Sequence, residues 1–131
     1  MIFVRCPAQF QLASDTAKNA IGRLSGVDAP SMADTEASFA ELSDRCDRTI
    51  AFIQSVDPSI LAASADREIV LKLPNGTGWR FTGSDYVTRF ALPNFFFHVT
   101  SAYAILRAAG VSLGKPDFLQ HLGPPNLIDK A

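Results

Sequence analysis

Leu92-Pro93-Asn94-Phe95-Phe96-Phe97-His98-Val99-Thr100-Ser101-Ala102-Tyr103-Ala104-Ile105-Leu106-Arg107 is the stretch that decides the fold. It is apolar on every side, and a helix of that kind belongs at the centre of a bundle. No Asp, Glu, Lys or Arg occurs between Phe90 and Leu106. That length sits at the short edge of a membrane span. Pro93, Asn94 and His98 inside the run, and Arg89 and Arg107 at its ends, argue for a buried core helix instead. Its polar groups must find partners or cost free energy.

Working outward, Ser84 or Asp85 caps this helix and Gly110 ends it. Pro93 removes the donor that the Arg89 carbonyl needs, so a kink is predicted near Arg89 and Phe90. Before it, Ile69, Leu71 and Leu73 alternate with Glu68, Val70 and Lys72; Trp79 and Phe81 alternate with Arg80 and Thr82. Around Pro74-Asn75-Gly76-Thr77-Gly78 these runs read as a β-hairpin. A lone hairpin is marginal in water, so Ile69, Leu71, Trp79 and Phe81 should lie on the helices.

Two further helices precede the hairpin. The first spans about Ala8 to Ser25, with Phe10, Ala13, Ala17, Ala20, Ile21 and Leu24 on one face and Gly26 as its stop. A loop containing Pro30 follows. Asp34 or Thr35 then caps a second helix, whose apolar stripe is Phe39, Leu42, Cys46, Ile50 and Ile53. Glu36, Glu41, Asp44, Arg45 and Arg48 occupy its wet face. Pro58 opens a short turn through Ala63, and the tail holds one short helix around Pro116 to Leu122.

The 131 residues fit one domain, residues 1–131, with a core that needs neither disulfide nor metal. A net charge of −1 gives no electrostatic case for nucleic acid or an anionic membrane surface. Charged residues make up 19% and apolar ones 47%, so surface is scarce or another chain covers apolar surface. Cys6 and Cys46 follow no secretory signal and lack C-x-x-C spacing. They read as reduced, buried thiols of a cytoplasmic protein.

Candidate chemistry is sparse. His98 has Asn94, Ser101 and Ala102 as same-face neighbours. It reads either as a metal ligand or acid/base group, or as a core histidine bonded to a carbonyl or hydroxyl. A helical metal site wants a second His or a carboxylate at i, i+3 or i+4. Positions 94 and 102 are Asn and Ala, so no metal is expected, and a distant ligand such as Asp15 would not complete a site. His121, in the tail, is expected to face solvent. Asp15 and Lys18 read as a solvated i, i+3 pair. Trp79, Tyr86 and Tyr103 line a pocket or fill the core. Gly76 and Gly78 lack the strand–helix setting of a phosphate loop.

Several stretches resemble one family. They are Arg80-Phe81-Thr82-Gly83-Ser84-Asp85-Tyr86, the run from Phe90 to Arg107, Gly110-Val111, Leu113 to Leu119, Asp34 to Leu42, and Ala17-Lys18-Asn19-Ala20. Together they are similar to the bacterial domain-of-unknown-function family numbered nineteen ninety-three, itself similar to the DinB/YfiT-like superfamily of four-helix bundles. The resemblance implies a mainly all-α, up-and-down bundle with an inserted β-hairpin. In that superfamily many members hold a divalent metal through three histidines, some transfer thiols, and dimers are common. Here only His98 stands where such a ligand would be. The resemblance also implies one more helix before the segment that starts this chain, so an apolar stripe is expected to be exposed.

Three functions follow as expectations. The first is a non-catalytic binding module holding a small molecule near Asn94, His98, Tyr103, Trp79 and Asp15. The second is a metal-dependent hydrolase or thiol S-transferase using His98. The third is an assembly role without a ligand. A homodimer, in which a second chain covers the open stripe, is expected in any of them.

Overall fold

The computed structural model describes residues 6–125. Three long helices carry the fold: α1 (Cys6–Ser25), α2 (Phe39–Ser55) and α5 (Leu92–Ala108). Between α2 and α5 lie α3 (Pro58–Ala62), strands β1 (Ile69–Lys72) and β2 (Gly78–Phe81), and α4 (Gly83–Tyr86); α6 (Lys115–Phe118) follows α5. The chain is thus mainly helical, with one two-stranded antiparallel sheet pairing Ile69 with Phe81 and Leu71 with Trp79.

α1 is the central helix, and α2 and α5 flank it. Thr16 meets Asn94 and Gln9 meets His98, so α1 and α5 run antiparallel. The placement of α5 corrects the expectation from its composition. Ala102 is its one buried residue, while Leu92, Phe96 and Phe97 are about half exposed or more. α5 leans one side on α1 and shows the rest to solvent. An apolar sequence says what a helix would gain by burial; the number of neighbouring elements decides what it gets.

The core lies elsewhere, where the C-terminal half of α1 meets the hairpin. Ala20, Leu24, Ile69, Tyr86 and Ala91 are buried together, with Leu61, Phe81, Val87 and Phe90 packed around them. Tyr86 is fully buried, stacks on Phe90 at 5.8 Å and meets Phe81 at 5.9 Å. Alternation along the hairpin therefore works as expected for Ile69 and Phe81. Trp79, by contrast, reaches Phe90 at 6.5 Å yet stays half exposed.

Where Pro93 predicts a kink, the chain forms a π-helical turn over Val87–Ala91, between α4 and α5. The Leu92 N–H donates to the Val87 carbonyl, five residues back, and Pro93 then opens α5. Widening the turn accommodates the missing donor without breaking the rod. The rod begins one cap earlier than expected, because the Thr82 hydroxyl accepts the Asp85 N–H at 3.2 Å.

The start of α2 is also corrected. Ser38, rather than Asp34 or Thr35, is the cap: its hydroxyl accepts the Glu41 N–H at 3.2 Å, and the Glu41 carboxylate accepts the Ala37 N–H at 2.6 Å. Asp34 is engaged elsewhere.

Candidate functional site

Two features stand out around α1: a buried charge cluster on one side and an apolar groove on another. The cluster corrects the wet-face reading of α2 at Arg45 and Glu36, while Glu41, Asp44 and Arg48 are exposed as expected. Arg45 and Leu42 are fully buried and Thr49 nearly so, whereas Ile50 of the expected apolar stripe is half exposed. The helix is rotated so that an arginine faces α1.

Arg45 reaches Asp15 at 2.8 Å, Glu36 at 2.8 Å and Asp34 at 3.0 Å. It also donates to the Ala33 carbonyl and to the Ser14 hydroxyl, each at 3.2 Å. A guanidinium has five N–H donors in a fixed fork, and this site uses them on groups from two directions. Lys18 joins through Asp15 at 3.0 Å and is itself buried. The Asp15–Lys18 pair is therefore part of a buried network rather than a solvated pair.

The network fastens the loop between α1 and α2 onto both helices. Gln11 donates to Glu36 at 2.9 Å, which completes the cage around that carboxylate. Burial works against the charged Glu36, but hydrogen bonds from Arg45 and Gln11, together with the Arg45 charge, hold its pKa at about 2. The same pairing keeps Arg45 protonated against its burial.

The groove has α1 as its floor and α2 and α5 as its walls. It encloses about 680 Å³. Ala13 and Ala17 give a shallow floor; Cys46, Ile50 and Ile53 form one wall, and Phe95, Phe96, Val99, Tyr103 and Leu106 the other. Leu113, Asp117, Phe118 and His121 close one end. The Tyr103 hydroxyl is buried here with no hydrogen-bond partner, while its ring meets Phe118 edge-on at 5.5 Å and the Arg107 guanidinium at 5.8 Å. Ser14 and Thr49 also line the groove but bond to one another at 2.7 Å.

The expected site residues do not share one cavity. Tyr103 lines the groove. Asn94 donates to the Thr16 hydroxyl at 2.8 Å, and the His98 Nδ1 lies 2.8 Å from the Gln9 amide oxygen, so both tie α5 to α1. Trp79 belongs to the hairpin cluster, and Asp15 to the Arg45 network. The residues that sequence reading missed are Arg45 and Glu36. Asp34 and Glu36 lie near Arg45 in sequence, but helical periodicity assigns Glu36 and Arg45 to water, and the third partner, Asp15, is thirty residues away.

The partner of His98 is a carbonyl oxygen, that of the Gln9 side-chain amide. Burial lowers its pKa, so its neutral form is favoured. Among the described residues no three His, Cys, Asp or Glu side chains converge as a metal would require. The donor set at His98, one imidazole facing a glutamine, does not fit a divalent cation. Cys6 is buried and Cys46 half-buried; both are free, and burial raises both thiol pKa values. Burial thus works against the thiolate form at both positions. Among the described residues no helix is long and apolar enough to cross a membrane.

No curated protein matches the chain. A crystal structure of a DinB family member protein from Shewanella denitrificans superposes with a TM-score of 0.77 at 34% identity, covering 96% of this chain and 68% of that one. The family model of DUF1993, a domain of unknown function, matches residues 5–119. The chain belongs to the DUF1993 family and has a DinB-like fold.

Proposed function

We propose that this protein is a non-catalytic binding module whose groove receives the apolar face of a helix. The observation that carries this reading is the groove itself, together with the apolar side chains left beyond its rim. Walls of 17 residues each run about 25 Å. The lining is almost wholly carbon, and Phe96 and Ile50 on opposite walls are each about half exposed. Contiguous apolar surface of that kind marks a binding site. A helix laid along the groove covers both walls at once, as amphipathic helices do in other apolar grooves. The groups that chemistry would need are engaged elsewhere: His98 with Gln9, Asp15 with Arg45.

Two probes test this. One is 1-anilinonaphthalene-8-sulfonate, which reports accessible apolar surface; the other is a synthetic 18-residue Leu/Lys amphipathic helix. Both should bind, with affinity unchanged by a chelator. Ala17→Trp fills the floor and should abolish binding of both while far-UV circular dichroism stays native. Undiminished binding to a folded Ala17→Trp protein defeats the reading. So does a chelator that removes binding.

A further inference from the structure

We infer that the helix received by the groove belongs to another polypeptide and carries a carboxylate on its apolar face, which the Tyr103 hydroxyl and Arg107 bind at one end of the groove. This rests on the groove-binding reading above and names the chemistry of the partner. Three observations carry it.

The first is the orphaned hydroxyl. Tyr103 lines the groove, and its buried hydroxyl has no hydrogen-bond partner among the described residues. Other polar groups of the lining are engaged. Ser14 and Thr49 bond to each other, Gln9 meets His98, and the Asp117 carboxylate accepts the Gly114 N–H at 2.6 Å. A buried donor left unpaired costs free energy. An acceptor that reaches it recovers that cost, which one that merely replaces water does not.

The second is the charge beside it. The Arg107 guanidinium stands over the Tyr103 ring, 5.8 Å from its centroid; it is exposed and pairs with no carboxylate among the described residues. A cation over the ring and a free O–H at its tip together select an anionic acceptor. Charge-assisted hydrogen bonds are the strong ones, and a carboxylate has two oxygens to share between the two donors. A second α5 cannot supply that group, because no acid lies between Phe90 and Leu106. The complement of this groove is an apolar helix face with one acid near an end.

The third is the way in. The hydroxyl is closed off in the free protein, and Phe118 meets the Tyr103 ring edge-on at 5.5 Å. Phe118 belongs to α6, a four-residue helix with no buried residue, joined to α5 through Gly110 at φ 88°. A segment so lightly packed yields before the long helices do, and its shift opens the Tyr103 hydroxyl to an entering side chain.

Isothermal titration calorimetry of the full chain with two helices tests the inference. One is the Leu/Lys helix; the other is the same helix with one Glu in place of the central leucine of its apolar face. Tyr103→Phe removes only the hydroxyl. It should weaken binding of the Glu helix roughly tenfold and leave the Leu/Lys helix unchanged or slightly tighter. Arg107→Gln should weaken the Glu helix several-fold and flatten its salt dependence. Since the hydroxyl has no partner in the free protein, Tyr103→Phe should keep a native circular dichroism spectrum and an undiminished thermal midpoint. A clearly lowered midpoint means that the hydroxyl is bonded without a ligand, and it overturns the inference. So do equal effects of Tyr103→Phe on both helices, or a Glu helix indifferent to either substitution; the groove reading then stands if Ala17→Trp still abolishes binding of the Leu/Lys helix. A wild-type chain that binds neither helix, as it would with another copy already filling the groove, overturns both.

Discussion

Arg45 and Glu36 meet at 2.8 Å with side chains that are 0% and 5% exposed, one on a helix and the other in the loop that leads to it. This contact closes the α1–α2 connection from the inside. Buried ion pairs gain little over apolar packing, but removing one partner leaves the other charged and unsatisfied. The consequence is an asymmetry that mutation exposes.

Arg45→Ala should destabilise the fold by about 3–5 kcal/mol, because Glu36, Asp15 and Asp34 lose their shared cation. Glu36→Gln should cost less, since Arg45 keeps two carboxylates and the loop carbonyl. Urea unfolding at pH 7 measures both. An Arg45→Ala cost below about 1 kcal/mol would contradict the buried network.

Stability should fall in acid in two stages. His98 has a lowered pKa, so the unfolded chain binds its proton first, and stability declines as pH drops below about 6.5. Glu36 titrates near 4.5 when unfolded and near 2 when folded. Its contribution, up to about 3 kcal/mol, is complete above pH 4.5 and is lost as pH falls toward 2. Urea midpoints recorded from pH 8 to pH 2 should show both stages, with the lower one absent in Glu36→Gln.

Gly83 should tolerate no side chain. It is buried at the start of α4, and a Cβ there would overlap the Ser64 carbonyl, while the Ser84 N–H donates to Ala65 at 2.9 Å. Backbone faces backbone, so nothing can swing aside. Gly83→Ala should cost more than about 3 kcal/mol. Gly76, at φ 83° in the hairpin turn with open space around it, pays only for its left-handed conformation, about 1 kcal/mol. Thermal denaturation of the two variants side by side separates steric from conformational cost.

What sequence reveals here follows from what is local. Gly26 and Gly110 end their helices at φ 80° and 88°, and Asn75-Gly76 turns the hairpin, because those conformations favour glycine wherever the residue sits. Pro93 announces a backbone defect for a similar reason, although its form, a π turn with Tyr86 and Phe90 stacked across it, is not written in the local sequence. Arg45 is the opposite case. Its burial needs Asp15, thirty residues away, and a loop folded over α2; no periodicity contains that. The candidate site divides along the same line. Tyr103 was legible as an aromatic on an apolar helix, whereas the groove exists through the mutual placement of α1, α2 and α5.

Phe97 and Tyr86 make the final contrast. Composition places Phe97 in the middle of the most apolar run of the chain, which predicts a core side chain. The structure leaves it 63% exposed, touching the His98 ring edge-on at 5.2 Å and standing outside the groove lining. Tyr86 lies in a more polar stretch yet is fully buried, and it accepts a hydrogen bond from Arg23 at 3.1 Å. Phe97→Ser should therefore change unfolding free energy by about 0.5 kcal/mol or less. Tyr86→Phe should cost about 1 kcal/mol, since Arg23 can turn to water, and Tyr86→Ala about 3–5 kcal/mol for the cavity it leaves among Phe81, Phe90 and Leu24. Chemical unfolding of all three ranks them. A Phe97→Ser cost equal to that of Tyr86→Ala would mean that α5 is packed on its outer side after all.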